Sequence, residues 1–173
     1  MPQNEISKMK RTVILVRHGK ACSLDAFEKD IDRVLTKRGV NDGYRVARKI
    51  FGSGIIPDLI LTSPAARANH SALIFARAMN TTTGIINVVE SLYHSSGSKM
   101  LNIISELPGE VKTVALFGHN PGITDLAEHL TNGATSFLPT TGVAIINYEM
   151  EQWKDIHSSD QSVYEFIIPK EVK

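Results

Sequence analysis

Thr12-Val13-Ile14-Leu15-Val16-Arg17-His18-Gly19 is the stretch on which the reading of the fold turns. Its apolar run is short and rich in β-branched residues, which suits a strand. Polar Arg17 and His18 follow at once, and Gly19 permits a tight turn. The same order of events recurs along the chain. The run at 59–62 leads to Ser63, Pro64 and Arg67, the run at 85–89 to Glu90, and the run at 114–117 to Gly118 and His119. Parallel strands would bring their carboxyl ends to one edge of the sheet, where open α/β folds bind ligands. Arg17, His18, Arg67, Glu90 and His119 are therefore expected to converge there.

Helical patterns separate these runs. Thr36 can cap a helix in which Val40, Tyr44, Ala47, Ile50 and Phe51 keep helical spacing, with Gly52 and Gly54 as the stop. Ser63 as cap and Pro64 in the first turn predict a second helix through residue 79, with Arg67 near its start. Helices are also expected over 98–107 and 123–130. Strands are expected over 12–16, 58–62, 85–89, 113–117, 142–148 and 163–168, the last two flanking a polar turn region at 153–161. Alternation of the two patterns predicts a three-layer α/β/α sandwich with a mostly parallel central sheet. Residues 20–35 form a long loop, and loops of that size in compact domains tend to be functional.

The 173 residues, 42% hydrophobic and 21% charged, fit one domain over 1–173, with a core at about 11–168 and a polar tail at 1–10. A formal net charge of +1 gives no overall field for nucleic acid or an anionic membrane, so neither is expected as a partner. No run approaches the ~20 apolar residues that span a bilayer, and the first ten residues lack a secretory pattern, so a cytoplasmic location is expected. Cys22 is the only cysteine, which excludes an internal disulfide. As a nucleophile it would want an arginine shortly downstream; Glu28 stands there instead.

The residue types at the predicted edge suit phosphoryl transfer. A histidine can attack phosphorus when one ring nitrogen carries its lone pair outward and the other donates to a fixed acceptor such as a backbone carbonyl. Arg17 and Arg67 offer bidentate forks for the equatorial oxygens, a geometry that lysine lacks. His119 adds a donor at the head of a helix, where free N–H groups favour an anion.

Other features compete with that assignment. Asp30-Ile31-Asp32-Arg33-Val34 has the Asp-x-Asp-x-Val spacing of an aspartyl-phosphate motif, but no hydrophobic strand precedes it, so these acids are expected on solvated surface. His70, His94, His129 and His157 lack the i, i+4 pairing of a zinc helix, and no metal site is expected. Lys20 either adds charge beside a phosphate or is simply exposed. Tyr93-His94 and the serines at 95, 96 and 98 either border the pocket or form a turn. Thr140-Thr141 can cap or touch a ligand, and Trp153 is expected to pack near the C-terminal hairpin.

Four motifs in order carry a resemblance: Val16-Arg17-His18-Gly19, Leu35-Thr36 followed by Gly39, Leu61-Thr62-Ser63-Pro64-Ala65-Ala66-Arg67-Ala68, and Phe117-Gly118-His119-Asn120. Over about residues 13–148 the chain resembles the histidine phosphatase, or phosphoglycerate-mutase-like, superfamily. Arg17-His18-Gly19-Lys20-Ala21, Pro121-Gly122 and Leu138-Pro139-Thr140-Thr141-Gly142 are similar to its SixA-like phosphohistidine phosphatases. The resemblance implies a phosphoglycerate-mutase-like fold and a metal-independent phosphatase without cofactor. It implies that His18 is phosphorylated, that Arg17, His18, Arg67 and His119 bind the phosphate, and that Glu90 holds the place of the proton donor. The family's usual Gln-Thr pair after Arg-Ala-x is replaced by His70-Ser71, which loosens inference about the substrate. A phosphorylated protein carrying phosphohistidine is the expected partner, because so short a chain has little length for lids over a metabolite. The alternatives are a general small-molecule phosphomonoesterase acting on phosphate esters, and a non-catalytic phosphate-binding module.

Overall fold

The computed structural model describes residues 8–173. Six strands form one sheet in the order β3-β2-β4-β1-β5-β6: β1 is Met9–Arg17, β2 Leu59–Thr62, β3 Ile86–Val88, β4 Thr113–Gly118, β5 Val143–Met150 and β6 Gln161–Ile167. The first four in that order run parallel, β5 runs antiparallel to β1, and β6 antiparallel to β5. The expected mostly parallel sheet is present.

Side-chain alternation along β1 explains the layers. Ile14 and Val16 face a core shared with Val46, Ala47, Ile50, Ala72 and Phe75 of helices α1 (Lys37–Gly52) and α2 (Ala66–Ala78). Val13 and Leu15 face the opposite core, with Met100 and Ile104 of α3 (Gly97–Ser105) and Ile123 and Leu126 of α4 (Gly122–Leu130). Val13, Ile14, Leu15 and Val16 are all fully buried, as a strand between two helical layers must be.

The other end of β1 is fixed by a buried cation. Arg11 is 1% exposed and donates from its guanidinium to the carbonyls of Gly109 (3.2 Å), Val111 (2.7 Å) and Glu151 (2.6 Å). It lies over the Trp153 ring at 5.3 Å, and Trp153 Nε1 donates to the same Val111 carbonyl at 2.8 Å. Trp153 thus packs as expected.

Several local expectations need correction. The polar tail is shorter than residues 1–10: Met9 and Lys10 already pair with Met150 and Glu149 of β5, whose length offers them partners. Residues 1–7 lie outside the described residues. Ser63-Pro64 does not cap α2, which starts after Ala65 with no side-chain cap; the Ser63 hydroxyl turns toward the sheet edge instead. The strand predicted over 85–89 is reduced to three residues, because Thr82 caps a 3-10 turn through Ile85. Among the described residues no helix is long and apolar enough to cross a membrane.

The loop at 20–35 is built rather than open. An Ala21–Leu35 bridge closes its base, and Thr36, whose hydroxyl caps α1 at Gly39 N (3.1 Å), also donates to the Lys20 carbonyl. Gly39 is required here, since a Cβ on it would run into that same carbonyl. With its base pinned, the loop presents a 3-10 turn at Asp30–Asp32 to the carboxyl edge of the sheet.

Candidate active site

Strand order brings the two histidines together. β1 and β4 are neighbours, the His18 backbone N–H donates to the Gly118 carbonyl at 3.2 Å, and the His18 and His119 rings lie 5.0 Å apart. They share a cleft of about 280 Å³ with Arg17, Arg67, Asp30 and His94. Arg17 ends β1 and Arg67 lies in the first turn of α2, after β2 on the other flank of β4.

His18 is held in one orientation. Its Nδ1 lies 2.8 Å from the Gly19 carbonyl, which can only accept, so Nδ1 carries the proton and Nε2 the lone pair. Arg67 Nε donates to that same Nε2 at 3.3 Å, consistent with the assignment. Burial pushes the His18 pKa from 6.5 down to about 4; the Gly19 bond opposes this, while the charges of Arg67, Arg17 and Arg33 add to it. The ring is therefore neutral at physiological pH.

His119 Nε2 lies 2.7 Å from Ser63 Oγ, which also accepts from Ala65 N. With the serine hydroxyl donating, the neutral ring keeps its proton on Nδ1. Burial, followed by the electrostatic effect of His18, Arg67 and His94, holds its pKa down to about 3, against a small opposing effect of Asp30. Among the described residues, buried side-chain polar atoms without a partner are Arg11 Nε, Arg17 Nε, His119 Nδ1 and Thr141 Oγ1. The last three belong to the cleft or its wall, Thr141 through its N–H bonds to the Arg17 and His18 carbonyls. Donors that fold into a protein unmatched are costly unless a ligand with acceptor oxygens meets them.

Glu90 does not join this group. It is exposed, opens a 3-10 turn after β3 and does not line the cleft. The reason is topological: β3 is the outer strand, three strand spacings from β1, or roughly 14 Å. The chain returns with Tyr93 and His94, three and four residues later. Gly122, at the start of α4, lets Ser95 pack against it where a Cβ would strike the Ser95 carbonyl, and this close approach accompanies His94, next to Ser95, into the cleft wall.

No protein-family model matches the chain. Among solved structures, the Agrobacterium tumefaciens protein assigned as phosphohistidine phosphatase SixA superposes with a TM-score of 0.75 at 27% identity, over 92% of this chain and 99% of that one. The protein histidine phosphatase SixA complexed with tungstate superposes with a TM-score of 0.79 at 22% identity, over 94% of this chain and 99% of that one. The chain is similar in fold and sequence to proteins of the histidine phosphatase superfamily. An uncharacterized chloroplastic protein of Arabidopsis thaliana is 27% identical over 157 residues, 86% of this chain and 72% of its own length.

Within this histidine phosphatase fold, the replaced Gln-Thr pair becomes intelligible. Ser71 keeps a hydroxyl, which accepts from Gly19 N at 2.9 Å and donates to the Arg67 carbonyl at 2.7 Å, tying the His18 turn to α2. His70 faces a separate apolar groove with Leu35, Tyr44 and Leu73, away from the cleft. His129 and His157 also lie outside the cleft lining, and among the described residues no cluster of three or more His, Cys, Asp or Glu is disposed to hold a metal ion. Lys20 and Thr140 do line the cleft.

Three side chains take roles that the sequence reading did not give them, although Tyr93 was among the residues that could border the pocket. Ser63 is the partner of His119 rather than a helix cap. Tyr93 donates its hydroxyl to Asp30 Oδ2 at 2.8 Å, and burial together with that bond raises its pKa. Asp30, expected on solvated surface, pairs with Arg67 at 2.8 Å and with Arg33 at 2.9 Å. Burial alone would raise the Asp30 carboxyl, but bonds from Arg33, Tyr93 and Arg67 hold it well below the usual carboxylate range.

Proposed function

We propose that the protein is a phosphatase that hydrolyses phosphohistidine on a protein through a covalent phosphohistidine on His18. The observation that carries this reading is the His18 imidazole: neutral, fixed by the Gly19 carbonyl, with the Nε2 lone pair beside a guanidinium in a cleft open to solvent. In the first step Nε2 attacks phosphorus in line, the bond to the leaving group breaks, and the leaving group keeps the electron pair. Arg17, Arg67 and His119 bear the charge on the phosphoryl oxygens. Water then attacks, the P–N bond to His18 breaks, and inorganic phosphate departs.

The substrate follows from the proton balance. An alkoxide needs an acid as it leaves, whereas the imidazole of phosphohistidine leaves readily once protonated by solvent. The carboxylate that lines the cleft, Asp30, is held ionised, and Glu90 stands outside. A cleft without a carboxylic acid supports phosphoramidates over alkyl esters. The test is to incubate the protein with labelled phosphohistidine peptide and with labelled glycerol phosphate, an alkyl ester, quench in alkali and locate the label. Label on His18 and faster turnover of the peptide are expected; turnover undiminished in His18→Ala would reject the nucleophile.

One observation favours a second reading, a general phosphomonoesterase: His94 lines the cleft 6.2 Å from the His119 ring, and an imidazole there can deliver a proton. On that reading His94→Gln slows alkyl phosphate hydrolysis by about 10²-fold while sparing phosphoramidates.

A further inference from the structure

We propose that Asp30 and Tyr93 are positioning residues for Arg67, gripping the far end of its guanidinium so that the edge bearing Nε stays turned to His18. The geometry divides the guanidinium into two forks. At its tip, Nη1 donates to the Asp30 carbonyl at 2.7 Å and Nη2 to Asp30 Oδ2 at 2.8 Å, so one residue grips both nitrogens with backbone and side chain together. Along its side, Nε points at His18 Nε2. Of the five N–H donors, one on each nitrogen is engaged, and the second N–H of Nη2 lies parallel to Nε–H on the side edge. That edge is the fork a phosphoryl group meets as it comes to His18.

Asp30 is itself immobilised. Tyr93 donates to the same Oδ2, and Arg33 donates to Oδ1 at 2.9 Å while its Nε holds the Cys22 carbonyl at 2.8 Å. The clamp thus joins the loop at 20–35, the segment after β3 and α2, three parts of the chain that share no local pattern. A carboxylate on an arginine that binds phosphate invites the opposite reading, a tethered competitor. The arrangement argues against it, because Asp30 takes the tip of the fork and leaves the side nearest the nucleophile.

The inference rests on the phosphatase reading for its kinetic consequence, but the clamp is measurable without turnover. On the full chain, Asp30→Ala should lower kcat/KM for a phosphohistidine peptide by about 30-fold, the scale of a misplaced catalytic group, chiefly in kcat. In an Arg67→Ala background the same change should cost less than about 2-fold, since residues acting through one another are not additive. Tyr93→Phe, which removes one hydroxyl, should cost about 3-fold in the native background and nothing in Arg67→Ala. Calorimetric titration with tungstate should report weaker binding in Asp30→Ala and Tyr93→Phe, with Asp30→Asn, which keeps an acceptor at Oδ, between Asp30→Ala and the native chain. Equal losses with and without Arg67, or tungstate binding tighter in Asp30→Ala, would overturn the proposal. A native chain that turns over no phosphoramidate yet shows the predicted tungstate ranking would reject the phosphatase reading and keep the clamp.

Discussion

The centre of the sheet and its β3 edge obey the same local grammar, a hydrophobic run followed by a titratable residue, yet the cleft forms at the centre. His18 and His119 follow adjacent strands and are buried together; Glu90 follows a three-residue outer strand and is left in solvent. A strand-end residue thus acquires altered chemistry from its neighbours in strand order. Both central histidines have their pKa pushed down by burial.

Substitutions at the centre should dominate. His18→Ala is expected to abolish the alkali-stable label and to lower turnover by about 10³-fold or more, measured in single-turnover assays. Arg17→Lys, which keeps the charge but loses the fork, should cost about 10²-fold in kcat/KM. The pH profile separates the regions further. With His18 at about 4, kcat/KM should hold on acidification to that point and fall tenfold per pH unit below it, as protonation removes the lone pair.

Stability should follow in the same direction. Below 6.5 the unfolded chain binds protons at positions 18 and 119 that the folded chain refuses until about 4 and about 3, so the thermal midpoint should drop as pH falls through that window. His119→Asn should flatten the slope. Smallest of all, Glu90→Gln should change phosphohistidine turnover by less than about 2-fold; a loss of 10²-fold would place the β3 edge in the chemistry after all.

The convergence of Arg17, His18, Arg67 and His119 was legible because each follows a hydrophobic run or opens the helix after one, and parallel strands share an edge. The layers were legible through the alternation of strand-like and helix-like segments along the chain. Strand order is not written in local spacing, and that is why Glu90 was grouped with Arg17 and His18, from which two strands separate it. Asp30 was illegible for another reason: its charged neighbourhood reads as solvated loop, and its partner Arg67 stands 37 positions away. Ser63 was legible as a polar residue at a strand end, but Pro64 beside it suggested a cap.

The Arg11 anchor makes β1 a ruler with a fixed zero. A guanidinium seated on three carbonyls cannot slide along the strand, so the six positions from Arg11 to Arg17 set where the imidazole arrives. Because successive side chains on a strand point to opposite faces, inserting or deleting a single residue between those two arginines would swap the layers into which 13–16 project.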